Sequence, residues 1–108
     1  VGDVRLVATT LTTCPPADLK ILAQHLQAEP RVIALLAGVH DDKLTAIFAR
    51  SADVNLHAGN LLRRALQQFG GGGGGRPDFA QGGGVPVAAA AALIDFARQQ
   101  VEEERTHS

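Results

Sequence analysis

The sequence predicts an α/β or α+β fold, in which helices pack on a small mixed β-sheet. Three observations support this prediction. Residues 4–11 are rich in β-branched side chains, which is typical of a strand. Residues 32–39 form a continuous apolar run, which is typical of a strand buried on both faces. Residues 55–69 carry apolar side chains at helical spacing. The length of 108 residues predicts one domain over residues 1–108.

The first half of the chain contains signals for one helix and one hairpin. Thr12 to Pro16 supply capping hydroxyls and prolines for a first turn, and the apolar spacing that follows predicts a helix over residues 16–28. Pro30 ends this helix. Residues 40–43 are polar and predict a turn. The alternation over residues 44–50 then predicts a strand that pairs back in an antiparallel hairpin.

The second half contains an amphipathic helix, a glycine-rich segment and a last helix. The amphipathic helix has a basic outer face and ends at Gly70, the first of six consecutive glycines. We expect residues 70–84 to form a glycine-rich loop and residues 87–103 a helix. Three glutamates face the negative end of the helix dipole there, so residues 102–108 are predicted to fray.

Composition excludes several classes of protein. The longest apolar run covers residues 85–94, contains Pro86 and is too short to cross a bilayer. The single Cys14 permits no internal disulfide, and no secretion signal is found, so we expect a cytoplasmic protein that is not bound to a membrane. The chain begins with Val and contains no Met, which predicts that it is part of a longer protein.

The charges are unevenly distributed, although the formal net charge is only -1. Residues 50–76 have a net charge of +3 and residues 77–108 a net charge of -3. If the chain binds a polyanion, the basic middle segment must supply the attraction.

A metal site or a catalytic centre finds little support. The candidate ligands do not occur in pairs at metal-binding spacing; they are Cys14, His25, His40 and His57. His40, Asp41 and Asp42 are better interpreted as a turn between two apolar strands. We therefore expect no metal, no other cofactor and no catalytic residue in this chain.

The glycine-rich segment is the most informative part of the sequence. Nine of the twelve glycines lie in residues 70–84, and they flank the block Arg76-Pro77-Asp78-Phe79-Ala80-Gln81. A flexible linker is one interpretation, but linkers of this kind are usually mixtures of glycine and serine. In the other interpretation Phe79 inserts into the core, Asp78 pairs with Arg76 or caps an amide, and glycine amides beside Arg76 form a concave donor site for phosphate oxygens. The predicted site comprises Gly70, Gly71, Gly72, Gly73, Gly74, Gly75, Asp78, Gln81, Gly82, Gly83 and Gly84.

Known nucleotide-binding glycine motifs do not fit this segment. No Lys-Ser or Lys-Thr follows the glycines, which excludes a P-loop, and a predicted helix precedes them where a Rossmann motif needs a strand.

Residues 54–84, above all GGGGGGRPDFAQGGG, resemble the C-terminal domain of alanyl-tRNA synthetases, a member of the DHH-associated domain group. His57-Ala58-Gly59 fits the same pattern. The resemblance implies a domain that is not catalytic, that contacts the tRNA elbow and that helps to link aminoacylation with editing. It also implies that the other domains of the synthetase are partners, and that some members self-associate.

The basic residues are the candidates for tRNA binding. Asn60, Arg63 and Arg64 lie on the outer face of the amphipathic helix, and Arg50, Arg76 and His57 extend the patch. Contacts to phosphates recognise the shape of an RNA without reading bases. We expect a dissociation constant on the order of 10⁻⁴–10⁻⁶ M that depends on salt. The four Phe fit core positions better than a base-stacking surface.

Three alternatives remain open at this stage. The basic helix face is simply solvated in the first. In the second the chain is the substrate-binding lobe of a DHH-type phosphoesterase, although that family usually has His after the glycines where this chain has Arg76-Pro77-Asp78. In the third the chain is a dimerisation module whose alanine-rich residues 87–101 pack on a second copy.

Overall fold

Helices cover both faces of one five-stranded mixed sheet, which confirms the predicted fold class. The computed structural model describes residues 4–107, with only the backbone described for residues 104–107. The elements are β1 (Arg5–Leu11), α1 (Pro16–Ala28), β2 (Val32–His40), β3 (Lys43–Arg50), α2 (Ala58–Gln67), β4 (Gly72–Gly75), β5 (Phe79–Gly83), a 3₁₀ turn (Val87–Ala89) and α3 (Ala90–His107). Within the described residues, no helix has the length and hydrophobicity that crossing a membrane requires.

The strand order is β1-β2-β3-β5-β4, so β1 and β4 form the two edges of the sheet. β1 is parallel to β2, and the other neighbouring pairs are antiparallel. The predicted hairpin is confirmed, since β2 and β3 are joined by Asp41 and Asp42 alone. Both aspartates have positive φ, 52° and 60°, as the favoured two-residue hairpin turn requires.

The buried strand β2 contributes side chains to two cores. Leu36 and its β3 neighbour Ile47 pack against Leu19 on the α1 face. Leu35 and its neighbour Phe48 pack on the opposite face, which α2 and α3 cover. Because helices lie on both sides, both sets of alternating side chains in β2 are apolar.

The glycine-rich segment differs from the prediction. It is not a loop, because most of it forms the hairpin of β4 and β5, which extends the sheet. Gly70 and Gly84, which lie just outside this hairpin, have φ of 84° and 80°. Such angles are readily adopted by glycine, so these two residues allow the chain to turn into and out of the hairpin.

The C-terminal helix begins and ends at different residues from the predicted 87 and 103. It begins at Ala90, after the 3₁₀ turn, and continues to His107. The backbone of the predicted frayed tail, residues 102–108, is therefore helical as far as His107, and Ser108 lies outside the described residues.

Candidate nucleic-acid interface

Glycines allow α2 to lie very close to the β4–β5 hairpin. A Cβ atom on Gly59 of α2 would be 2.6 Å from the carbonyl oxygen of Gly75. On the hairpin, a Cβ on Gly73 would be 2.9 Å from Leu66 Cδ1, and one on Gly82 would be 2.6 Å from the same atom. Real Cβ atoms do not approach neighbours this closely. These glycines therefore permit close packing of a helix on a hairpin.

The backbone carbonyls of the turn between β4 and β5 accept hydrogen bonds from three elements. The carbonyl of Asp78 accepts hydrogen bonds from the Arg50 amide at the end of β3 (3.0 Å) and from Gln27 Nε2 on α1 (2.9 Å). The carbonyl of Pro77 accepts one from the Ala58 amide at the start of α2 (2.7 Å). The turn is therefore fixed relative to both layers of helices.

The side chains of the turn support its attachment. Phe79 is partly buried and packs against the core cluster on the α1 face, as predicted. Asp78 Oδ1 lies 3.6 Å from Arg76 Nε, which confirms the predicted pairing of these two residues. Arg76 is the more exposed of the two charged residues in the turn, with 75% of its side chain accessible.

The polar face of α2 and the turn form one exposed basic surface, which we call the α2–β4 ridge. Its members are Asn60, Arg63, Arg64 and Gln67 on α2, and Arg76 after β4. Arg63 Nη2 lies 3.9 Å from the position that a Cβ on Gly74 would occupy. The Arg63 guanidinium therefore lies beside Gly74 of β4, and Gly74 is two residues before Arg76 in the chain.

His57 begins this surface as the N-cap of α2. Its Nδ1 accepts a hydrogen bond from the Asn60 amide (3.0 Å), so the neutral ring carries its proton on Nε2. Because the N-cap satisfies a backbone donor that the helix leaves unpaired, His57 has a structural role that the sequence analysis did not foresee.

Arg50 is directed into the protein. Its Nε donates to the carbonyl of Leu56, and its Nη1 donates to the carbonyl of Ser51 at 3.1 Å. The side chain is half-buried and fixes the segment between β3 and α2. The structure therefore does not add Arg50 to the exposed ridge, in contrast to the sequence-based prediction.

The glycine amides are arranged in strands. β5 pairs with β3 on one side and β4 on the other, so Gly82 and Gly83 take part in ladders on both sides. The amide of Gly71 donates to the Leu66 carbonyl at 2.9 Å. The concave amide site expected from the sequence is therefore replaced by an extended sheet edge at β4. Gln81 is exposed and pairs with Gly74 across the hairpin.

The other candidates from the sequence lie apart from the ridge. Cys14 is partly buried before α1, and His40 contacts Asp41 (3.5 Å) in the β2–β3 turn. His25 is exposed on α1. Among the described residues, no three His, Cys, Asp or Glu side chains come together as a group that could hold a metal ion.

Comparisons with known proteins give the family. A model of the DHHA1 domain matches residues 3–103. The chain belongs to the DHHA1 domain family. This DHHA1 domain is also similar in structure to the C-Ala domain of alanyl-tRNA synthetase from Aquifex aeolicus. The two are 28% identical with a TM-score of 0.73, and the match covers 90% of this chain and 94% of the other. A comparison with curated protein sequences gave no match.

Two residues of this DHHA1 domain were missed in the sequence. Gln27 contacts Asp78 across 51 positions of the chain, and no local pattern marks such a contact. Gly59 was noted only as part of His57-Ala58-Gly59, and its close approach to Gly75 depends on how α2 crosses the hairpin. A glycine in the first turn of an otherwise regular helix was the available signal, because glycine there costs stability unless something requires it.

Proposed function

We propose that this domain is the C-terminal tRNA-binding domain of an alanyl-tRNA synthetase, and that the α2–β4 ridge contacts the tRNA at its elbow. One observation carries the proposal. Arg63 on α2 and Arg76 on the hairpin turn come to the same edge of the sheet, with Asn60 one helical turn before Arg63. The similarity to a synthetase C-Ala domain over nearly the whole chain supports the same identity.

The chemistry of the ridge suits the outside of a folded RNA. Arginine forms forked hydrogen bonds with phosphate oxygens, and Arg63 and Arg76 offer two such groups. The exposed amides of Asn60 and Gln67 can bond ribose hydroxyls or phosphates. Contacts of this kind orient the RNA by its shape, so the proposed binding reads no base.

The role proposed for this domain is accessory. Aminoacylation and editing belong to other domains of the synthetase, and the contact at the elbow helps to keep the tRNA bound while its acceptor end moves between them. The partners are the tRNA for alanine and those other domains, and the proposed location is the cytoplasm.

The structure favours this role over the dimerisation module considered from the sequence. Most large apolar residues of α3 are buried in the protein's own core, namely Leu93, Ile94 and Val101, and Phe96 is partly buried against that core. A second copy packing on that helix would therefore meet mainly its exposed alanines and polar residues.

The test compares two variants with equal changes of charge. Arg63→Glu combined with Arg64→Glu reverses the ridge, while Lys20→Glu combined with Arg98→Glu makes the same change on α1 and α3. We expect the ridge variant to bind tRNA at least about tenfold more weakly, and to reduce the salt dependence of binding by about two phosphate contacts. The control variant should stay within about threefold of the original chain, because its charges lie on other helices and salt screens their effect on the ridge.

The measurement is fluorescence anisotropy with labelled tRNA at several salt concentrations, after circular dichroism has shown that each variant is folded. If both variants lost tRNA affinity equally, the effect would be one of overall charge and not of the ridge. Unchanged binding by the ridge variant would remove α2 from the tRNA contact.

A further inference from the structure

Three side chains connect α1 with the end of the α2–β4 ridge. Gln27 Nε2 donates to Asp78 twice, to its carbonyl oxygen at 2.9 Å and to its carboxylate Oδ2 at 3.3 Å. The other carboxylate oxygen, Oδ1, lies 3.6 Å from Arg76 Nε. The carboxylate of Asp78 is thus held on one side by Gln27 and faces Arg76 on the other.

Solvent exposure increases along this series of contacts, from Gln27 through Asp78 to Arg76. Gln27 is half-buried, the Asp78 side chain is 43% exposed and the Arg76 side chain is 75% exposed. In this series of contacts, Gln27 is therefore the anchored residue, and Arg76 is the exposed side chain that the contacts orient. Arg76 faces Asp78 through Nε, while most of its side chain remains accessible to solvent. An exposed guanidinium can still form hydrogen bonds with an anion that approaches the ridge.

We propose that Gln27 and Asp78 are positioning residues, which hold the Arg76 guanidinium ready for a phosphate of the bound RNA. This inference rests on the proposed tRNA binding. An exposed ion pair contributes little to folding stability, so stabilising the domain is a weak reason for this arrangement. Fixing a long side chain before binding removes an entropic cost that would otherwise be paid on association. The gain corresponds to about threefold to tenfold in affinity.

The local consequence can be measured without RNA. In NMR relaxation of the arginine Nε–H groups, Arg76 should be more ordered in the original chain than in a variant that lacks the Gln27 amide. Gln27→Leu removes the amide donor without adding charge, and it should lower the order parameter of Arg76 while leaving that of Arg63 unchanged. Gln24→Leu, at an exposed position of the same helix, is the matched control and should change neither.

The effect on binding is tested by a double-mutant cycle with tRNA. Gln27→Leu should weaken binding about threefold to tenfold in the original chain, but by less than about 1.5-fold when Arg76→Ala is already present. This difference is the result that a merely structural role of Gln27 would not produce, because such a role would weaken binding equally in both backgrounds.

The outcomes separate this inference from the proposed function. If tRNA binds and Arg76→Ala weakens binding, but Gln27→Leu has no effect or the same effect in both backgrounds, the positioning role is wrong and the tRNA-binding function stands. If the original chain does not bind tRNA even at low salt, the proposed function fails and this inference fails with it. An Arg76 side chain as mobile in the original chain as in Gln27→Leu would also overturn the positioning role.

Discussion

Alanine substitutions in β4 test whether its glycines serve packing or flexibility. Gly72 and Gly73 are neighbours on the same strand, and neither has a positive φ. A Cβ on Gly72 meets nothing within 4 Å, whereas a Cβ on Gly73 would be 2.6 Å from Gly82 Cα and 2.9 Å from Leu66 Cδ1. The two substitutions therefore remove the same backbone freedom but differ in the space available to the new methyl group.

The expected free energies of unfolding have opposite signs. Gly72→Ala should stabilise the protein by about 0.5 kcal/mol, since the unfolded chain loses conformational entropy. For Gly73→Ala the same gain is outweighed by overpacking, which costs about 1–3 kcal/mol, because the paired strand cannot move away without breaking the hairpin. The two variants should thus differ by about 2 kcal/mol, or about 1 M in the midpoint of urea unfolding.

Circular dichroism in the far ultraviolet is the suitable assay, because the chain has no Trp and no Tyr for fluorescence. In a flexible linker both positions would respond alike. Equal changes at Gly72 and Gly73, of either sign, would therefore refute the conclusion that Gly73 is required for close packing on β5 and α2.

Three further substitutions are expected to change the same urea midpoint. In an ordinary helix Gly59→Ala would stabilise the protein by about 1 kcal/mol. Here it should destabilise the protein by about 1–3 kcal/mol, because the new methyl group would lie against the Gly75 carbonyl. A more stable variant would contradict the observed packing. His57→Ala should cost about 0.5–2 kcal/mol by removing the N-cap of α2. His57→Asn should retain most of that stability, so equal losses would argue against capping. Ser51→Ala should cost about 1–3 kcal/mol, because the buried Ser51 hydroxyl accepts a hydrogen bond from the Val32 amide at 2.8 Å; an unchanged midpoint would show that this bond contributes nothing.

Much of the architecture was predictable because most elements carry a side-chain period. The apolar run of β2, the alternation in β3 and the helical spacing in α1 and α2 each report the burial of one face or two. Local side chains also marked the turn at Asp41 and Asp42, as well as the basic character of the exposed face of α2.

The hairpin of β4 and β5 could not be predicted in this way. Four consecutive glycines have no side chains, so β4 shows no alternation of apolar and polar residues. Its strand conformation follows from pairing with β5 and from the approach of α2. Both contacts join different segments of the chain, and the secondary-structure propensity of a single segment does not reveal them.

The sequence by itself determined the type of most elements, the family resemblance of residues 54–84 and the net positive charge of residues 50–76. Only the tertiary structure decided how those charges are used. It directs Arg50 inward to backbone carbonyls, brings Arg63 to the edge of β4, and connects Arg76 through Asp78 to Gln27. The physical reason is that a charge pattern along the chain describes neighbours in sequence, whereas a binding surface depends on which elements pack together.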